Sequence, residues 1–153
     1  MNVSESLFRL GLIINPLAGL GGSVGLKGSD GVAAVALEMG ATPRATERTR
    51  QALELLLPLA GRLEFLTIPG LMGADLLAQM GFVHRVLGQP HAGPTRAEDT
   101  REAVRQLQAQ GCALILFAGG DGTARDVCAA VHGQQPVLGI PAGVKIHSGV
   151  YAI

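Results

Sequence analysis

The 153-residue sequence predicts an α/β fold, an open and mostly parallel sheet of about five strands with helices on both faces. Three observations carry that expectation. Short, dense apolar runs recur along the chain, each bounded by Gly or Pro, which is how strands buried on both faces of a parallel sheet read. Between them lie segments whose apolar residues repeat at helical spacing. Polar and glycine-rich stretches follow the strands, so right-handed strand–helix–strand crossovers would bring them to one edge of a Rossmann-like sheet.

The chain opens with a strand over residues 7–14, where Leu10, Leu12, Ile13 and Ile14 supply the apolar density of a sheet interior and Asn15-Pro16 ends it. A glycine-rich loop follows over residues 17–31. Its order matches neither the Walker phosphate loop, because Lys27-Gly28-Ser29 scrambles the Gly-Lys-Ser run, nor the dinucleotide fingerprint, because Gly19-x-Gly21 lacks its third glycine. What survives is a set of unhindered backbone amides beside Lys27, either an anion site or a surface loop with a solvated lysine.

Residues 32–39 are apolar, and periodicity leaves helix and strap equally open. From Thr46, read as an N-cap, a helix places Ala52, Leu53, Leu56 and Leu57 on one face until Pro58 and Gly61 break it. A second strand over 63–68 closes at Pro69-Gly70. A helix over 73–80 turns Leu76, Leu77 and Met80 inward, and a third strand spans 82–87 before a loop over 88–94. Thr95-Arg96-Ala97-Glu98 has the form of a capping box for a helix running to about residue 110. Its core face is Ala103, Val104 and Leu107, its solvated face Arg101, Glu102, Arg105 and Gln108, and Gly111 stops it. Thr95 alternatively offers its hydroxyl to a phosphate.

The central stretch is Leu114-Ile115-Leu116-Phe117-Ala118-Gly119-Gly120-Asp121-Gly122-Thr123, a buried strand that ends in glycines around one carboxylate. A helix is expected over 124–132. Gly119 and Gly120 would permit positive φ and the close approach of a ligand, while the new helix turns its amides and dipole toward an anion. Asp121 competes with a phosphate for those amides, and it suits another task. A carboxylate beside a phosphate cradle accepts the proton of an attacking hydroxyl or holds Mg²⁺. The plain alternative is that Asp121 only caps the helix. A fifth strand over 136–140 ends in the turn Pro141-Ala142-Gly143-Val144-Lys145.

Composition sets the bounds. A 48% hydrophobic content is enough to bury a core within a single domain. The 22 glycines gather at the ends of apolar runs instead of forming a low-complexity tract, which suits ligand loops. Zero formal charge, no basic stripe and 3% aromatic residues leave a nucleic-acid binder without its electrostatic attraction or its stacking platforms. Cys112 and Cys128 read as core thiols and point to a cytoplasmic setting. His84, His91, His132 and His147 have no metal-ligand spacing. Residues 10–14 are too short for a membrane span, and Glu5 and Arg9 ahead of them argue against a signal peptide. A soluble protein follows, with a homo-oligomer left open.

Taken together, Asn15-Pro16-Leu17-Ala18-Gly19, the pentapeptide Gly119-Gly120-Asp121-Gly122-Thr123 and the turn Pro141-Ala142-Gly143 resemble the superfamily of NAD kinases, diacylglycerol kinases and sphingosine kinases. The longer wording of residues 119–126 and 139–148 is most similar to the bacterial ATP-NAD kinase-like group that includes the acetoin-catabolism protein X. The lipid kinases carry Asn-Glu where this chain has Arg125-Asp126, which points away from a lipid substrate.

That resemblance implies an N-terminal nucleotide-binding domain over residues 1–153 and a phosphotransferase that uses ATP and Mg²⁺, with NAD or a related molecule as acceptor. Asp121 would assist the ribose hydroxyl that receives the phosphate. Gly119, Gly120, Gly122 and Thr123 would shape the site, and Asn15, Lys27 and Thr95 would contact phosphate. The β-rich second domain of the family is expected to be absent, so a non-catalytic nucleotide-binding module or an inactive truncated member stands as the alternative.

Overall fold

The computed structural model describes residues 7–18, 44–89 and 95–142. Lys27, most of the glycine-rich loop, the 32–39 segment, residues 90–94 and the turn from Gly143 onward lie outside them. The described elements are five strands, β1 (Phe8–Ile14), β2 (Leu63–Thr67), β3 (His84–Val86), β4 (Leu114–Gly119) and β5 (Val137–Pro141), with four α-helices, α1 (Arg44–Glu54), α2 (Ala74–Met80), α3 (Ala97–Ala109) and α4 (Asp121–Ala130). Two 3-10 turns, Leu57–Arg62 and Gly70–Met72, flank β2.

All five strands are parallel, in the order β3-β2-β1-β4-β5. The expected open α/β sheet is therefore present, and its strand order reverses between β1 and β4. Alternation along β1 divides the core in two. Leu10, Leu12 and Ile14 pack with Ala45 and Leu53 of α1, Leu76 and Leu77 of α2, and Phe65, Leu116 and Ala118. Ile13 faces the other way, with Ala103, Val104 and Leu107 of α3, Ala124 and Val127 of α4, and Leu66, Ile115 and Phe117. Each fully buried Leu, Ile or Phe contributes about 1.5–3 kcal/mol, so neither face can lose its helices without exposing a continuous apolar sheet.

Gly11 stands on the α3 face, where a Cβ would lie 3.1 Å from Leu107, 3.2 Å from the Cys112 sulfur and 3.2 Å from Ile115. The missing side chain is what lets α3 and its following turn sit that close.

Several local expectations shift. Thr46 is not the N-cap of α1 but lies within it, because Ala45 is already buried in the core and draws the first turn inside. Leu56 and Leu57 leave the helix for a turn, with Leu57 exposed. The third strand shortens to three residues: Phe82 packs edge-on against Phe65 at 4.9 Å, and Val83 lends only its carbonyl to the Phe65 amide. The cap of α3 is displaced by one residue, with the Arg96 N–H donating to the Asp99 carboxylate at 2.8 Å. Glu98, expected in that role, turns outward to Arg101 at 3.0 Å and Arg105 at 3.2 Å, and those guanidinium groups hold its carboxyl below the usual range.

Candidate functional site

In an open parallel sheet the crevice beyond the carboxyl ends of the strands is deepest where the strand order reverses. Here that point lies between β1, which delivers Asn15, and β4, which delivers Gly119 and Gly120. The Asn15 N–H donates to the Ala118 carbonyl at 2.9 Å, carrying the β1–β4 ladder one residue past the end of β1. The chain then turns, and the Ala18 N–H donates back to the Asn15 carbonyl at 3.1 Å.

The helix after β4 begins earlier than its apolar spacing indicates. Asp121 is its first residue and Gly120 its N-cap, so Asp121 does not occupy the N-cap position. Asp, Gly and Thr are indifferent helix formers, and packing overrides them. Thr123 is 4% exposed and sits directly on the end of β4, where a Cβ on Gly119 would stand 2.5 Å from the Thr123 Cβ. Its hydroxyl accepts a hydrogen bond from Asn15 Nδ2 at 3.0 Å. The expected positive φ at the glycine pair is absent: Gly120 has φ −105°, and Gly119 is not among the positive-φ glycines. Glycine is required at position 119 for helix–strand contact instead.

Asp121 is half-buried and carries its carboxylate in the first turn of α4, where the dipole favours a negative charge. At Gly122 an added Cβ would meet only the Arg125 guanidinium at 3.9 Å, so the helix start is open there and has a cation beside it. The first intrahelical bond runs from the Ala124 N–H to the Gly120 carbonyl at 3.0 Å, and the amides of Gly122 and Thr123 come ahead of it. Open backbone, helix dipole and a nearby guanidinium are features that favour an anion, and they stand next to a carboxylate.

Asn15, Gly119, Gly120, Asp121, Gly122 and Thr123 thus come together from distant parts of the chain. Thr95 stands just ahead of the Arg96 N-cap of α3. Helices α3 and α4 run side by side in the same direction, tied part-way along by Arg101 and Asp126 at 3.0 Å and near their ends by Gln108, which accepts from the His132 N–H at 3.2 Å. That places Thr95 on the carboxyl rim as well.

Two features escaped the sequence. The turn after β2 lies on the same rim, with Gly70 at φ +69° and Gly73 at φ +155°, although Pro69-Gly70 reads only as the end of a strand. The signal was there in the repeated placing of glycine just after an apolar run. Arg101 reads as part of a solvated face, but its partner Asp126 is on another helix, a pairing that spacing within one helix cannot reveal.

Among the described residues no group of three or more His, Cys, Asp or Glu side chains is placed to hold a metal ion. Both cysteines are free, Cys112 buried and Cys128 exposed, which corrects the reading of Cys128 as a core thiol. No helix among the described residues is long and apolar enough to cross a membrane.

Residues 10–153 match the family model of the ATP-NAD kinase N-terminal domain. No curated protein and no solved structure matches the chain. With the match running from β1 through the switch-point site to the end of the sequence, the chain belongs to the ATP-NAD kinase N-terminal domain family.

Proposed function

We propose that this domain serves phosphoryl transfer from ATP to a hydroxyl of NAD or a related acceptor, and so the formation of NADP. The observation that carries the reading is the half-buried Asp121 carboxylate at the first position of α4, beside an open helix N-terminus at the switch point of a parallel sheet. Phosphoryl transfer asks little covalent chemistry of a protein; it asks for positioning and for charge stabilisation. The backbone of Gly120, Gly122 and Thr123 and the dipole of α4 suit the phosphates, with Lys27, Thr95 and Arg125 as further contacts and Gly119 keeping the helix seated. Asp121 accepts the proton of the acceptor hydroxyl as the new phosphate–oxygen bond forms and the bond from the γ-phosphorus to the departing ADP oxygen breaks. Asn15 belongs to the site through Thr123.

Mg²⁺ usually keeps several waters and is held largely by substrate phosphates, so it would arrive here on ATP and leave the base role to Asp121. Bound there, it would neutralise phosphate charge. The wording of residues 119–126 and 139–148 supports a place in the subgroup of the acetoin-catabolism protein X, and the free thiols fit a cytoplasmic setting.

Substituting Asp121→Asn tests the reading. With ATP, Mg²⁺ and NAD, transfer falls by about 100-fold or more, the range of a lost general base, while melting temperature and ATP affinity stay near wild type. Full transfer by the variant would remove Asp121 from the chemistry. The alternative reading is a nucleotide-binding module without transfer activity of its own. It predicts ATP binding by the wild type and no phosphorylated product with any acceptor.

A further inference from the structure

The hydrogen bonds around Asn15 carry information about a proton that no distance reports directly. A backbone N–H can only donate, and the Leu17 N–H points at Asn15 Oδ1 from 3.1 Å. The oxygen of the side-chain amide is therefore assigned to Leu17, and the nitrogen has to face Thr123. Across the 3.0 Å contact Asn15 donates and the Thr123 hydroxyl accepts. The hydroxyl proton is not used in that bond, and among the described residues this is the one hydrogen bond the Thr123 side chain makes. Thr123 is 4% exposed, so bulk water is not its partner. Asn15 takes one side of the hydroxyl and the end of β4 at Gly119 packs against another. The start of α4, of which Thr123 is the third residue, lies alongside.

We infer that Asn15 is a positioning residue that fixes the polarity of the Thr123 hydroxyl, holding it as a donor toward a phosphate oxygen seated at the N-terminus of α4. The inference rests on the nucleotide reading of this site and adds to it a reason for an amide, and not a carboxylate, at the end of β1. Aspartate at position 15 would still accept from the Leu17 N–H, preserving the turn. It could not donate to Thr123. The hydroxyl would then donate to the carboxylate and present lone pairs to the phosphate.

Two measurements on the full chain test this. In the ligand-free protein, NMR of the Asn15 side-chain amide should show a proton protected from exchange, with protection lost in Thr123→Val and kept in Thr123→Ser. Calorimetric titration with ADP should show affinity falling about tenfold or more in both Thr123→Val and Asn15→Asp, with Thr123→Ser near wild type. Adenosine, which has no phosphate, should bind the wild type and Thr123→Val equally. The added charge of Asn15→Asp repels ADP by itself, and the double variant separates the two effects: the loss caused by Asn15→Asp should shrink to less than about threefold in the Thr123→Val background. An equal loss in both backgrounds, or an Asn15 amide indifferent to Thr123→Val, would overturn the inference. Failure of the wild type to bind ADP with the amide signature intact would instead overturn the nucleotide reading, and with it phosphate as the acceptor of that proton.

Discussion

Gly119 and Cys112 show how much one atom decides in this protein. A methyl group on Gly119 cannot be placed without moving Thr123, whose Cβ would be 2.5 Å away, and so without moving the start of α4. Gly119→Ala is expected to destabilise the fold by about 1–3 kcal/mol, the cost of an overpacked contact, and to abolish the thermal shift given by ATP. A melting curve with and without ATP checks both. Burial pushes the Cys112 thiol from its ordinary 9.0 up to about 11, with Arg9 pulling weakly the other way. Folding therefore favours the protonated thiol, so its contribution is complete below pH 9 and is lost as pH rises toward 11. Urea midpoints measured between those values should fall more steeply for the wild type than for Cys112→Ala. At neutral pH iodoacetamide should label the exposed Cys128 and spare Cys112, a difference readable by mass spectrometry.

Helix starts are where reading and structure part. A Thr followed three residues on by Glu has the right letters for a cap at Thr95, yet the cap that forms is one residue later, from Asp99 to the Arg96 amide. Both settings satisfy the local rule, and the choice falls to Thr100, Ala103, Val104 and Leu107, which have to face the sheet together. Asp99→Ala should accordingly cost about 1 kcal/mol of stability, the usual worth of a cap, whereas Thr95→Ala should stay within about 0.5 kcal/mol. Chemical denaturation of the two variants decides it. The same cause moved the start of α4 back to Asp121. Apolar spacing dates a helix from its first buried aliphatic residue, and here the first buried residue is a threonine held by an asparagine just past the end of β1.

In the assembled molecule the parallel sheet is what turns separate loops into a site. Five strands pointing the same way put their carboxyl ends on one rim, and the reversal between β1 and β4 is the point at which open parallel sheets take ligands. A ligand bound at that point would touch segments from both halves of the chain and stabilise them together. Excess ATP at about 100 times its Kd should raise unfolding free energy by about 2.7 kcal/mol, and Asp121→Asn should retain that shift while losing transfer. A shift absent from the wild type would count against nucleotide binding on this rim.

Much of this was legible in residues alone. The strand runs, the helical faces of α2 and α3 and the Gly-Gly-Asp-Gly-Thr motif are local patterns, set by side-chain periodicity and backbone freedom over a few neighbouring positions. The pairing of Asn15 with Thr123, the bridge from Arg101 to Asp126 and the need for glycine at position 119 were not legible. Each depends on which atoms of remote segments come within bonding distance once strand order and helix depth are set, and one-dimensional spacing carries no record of that distance.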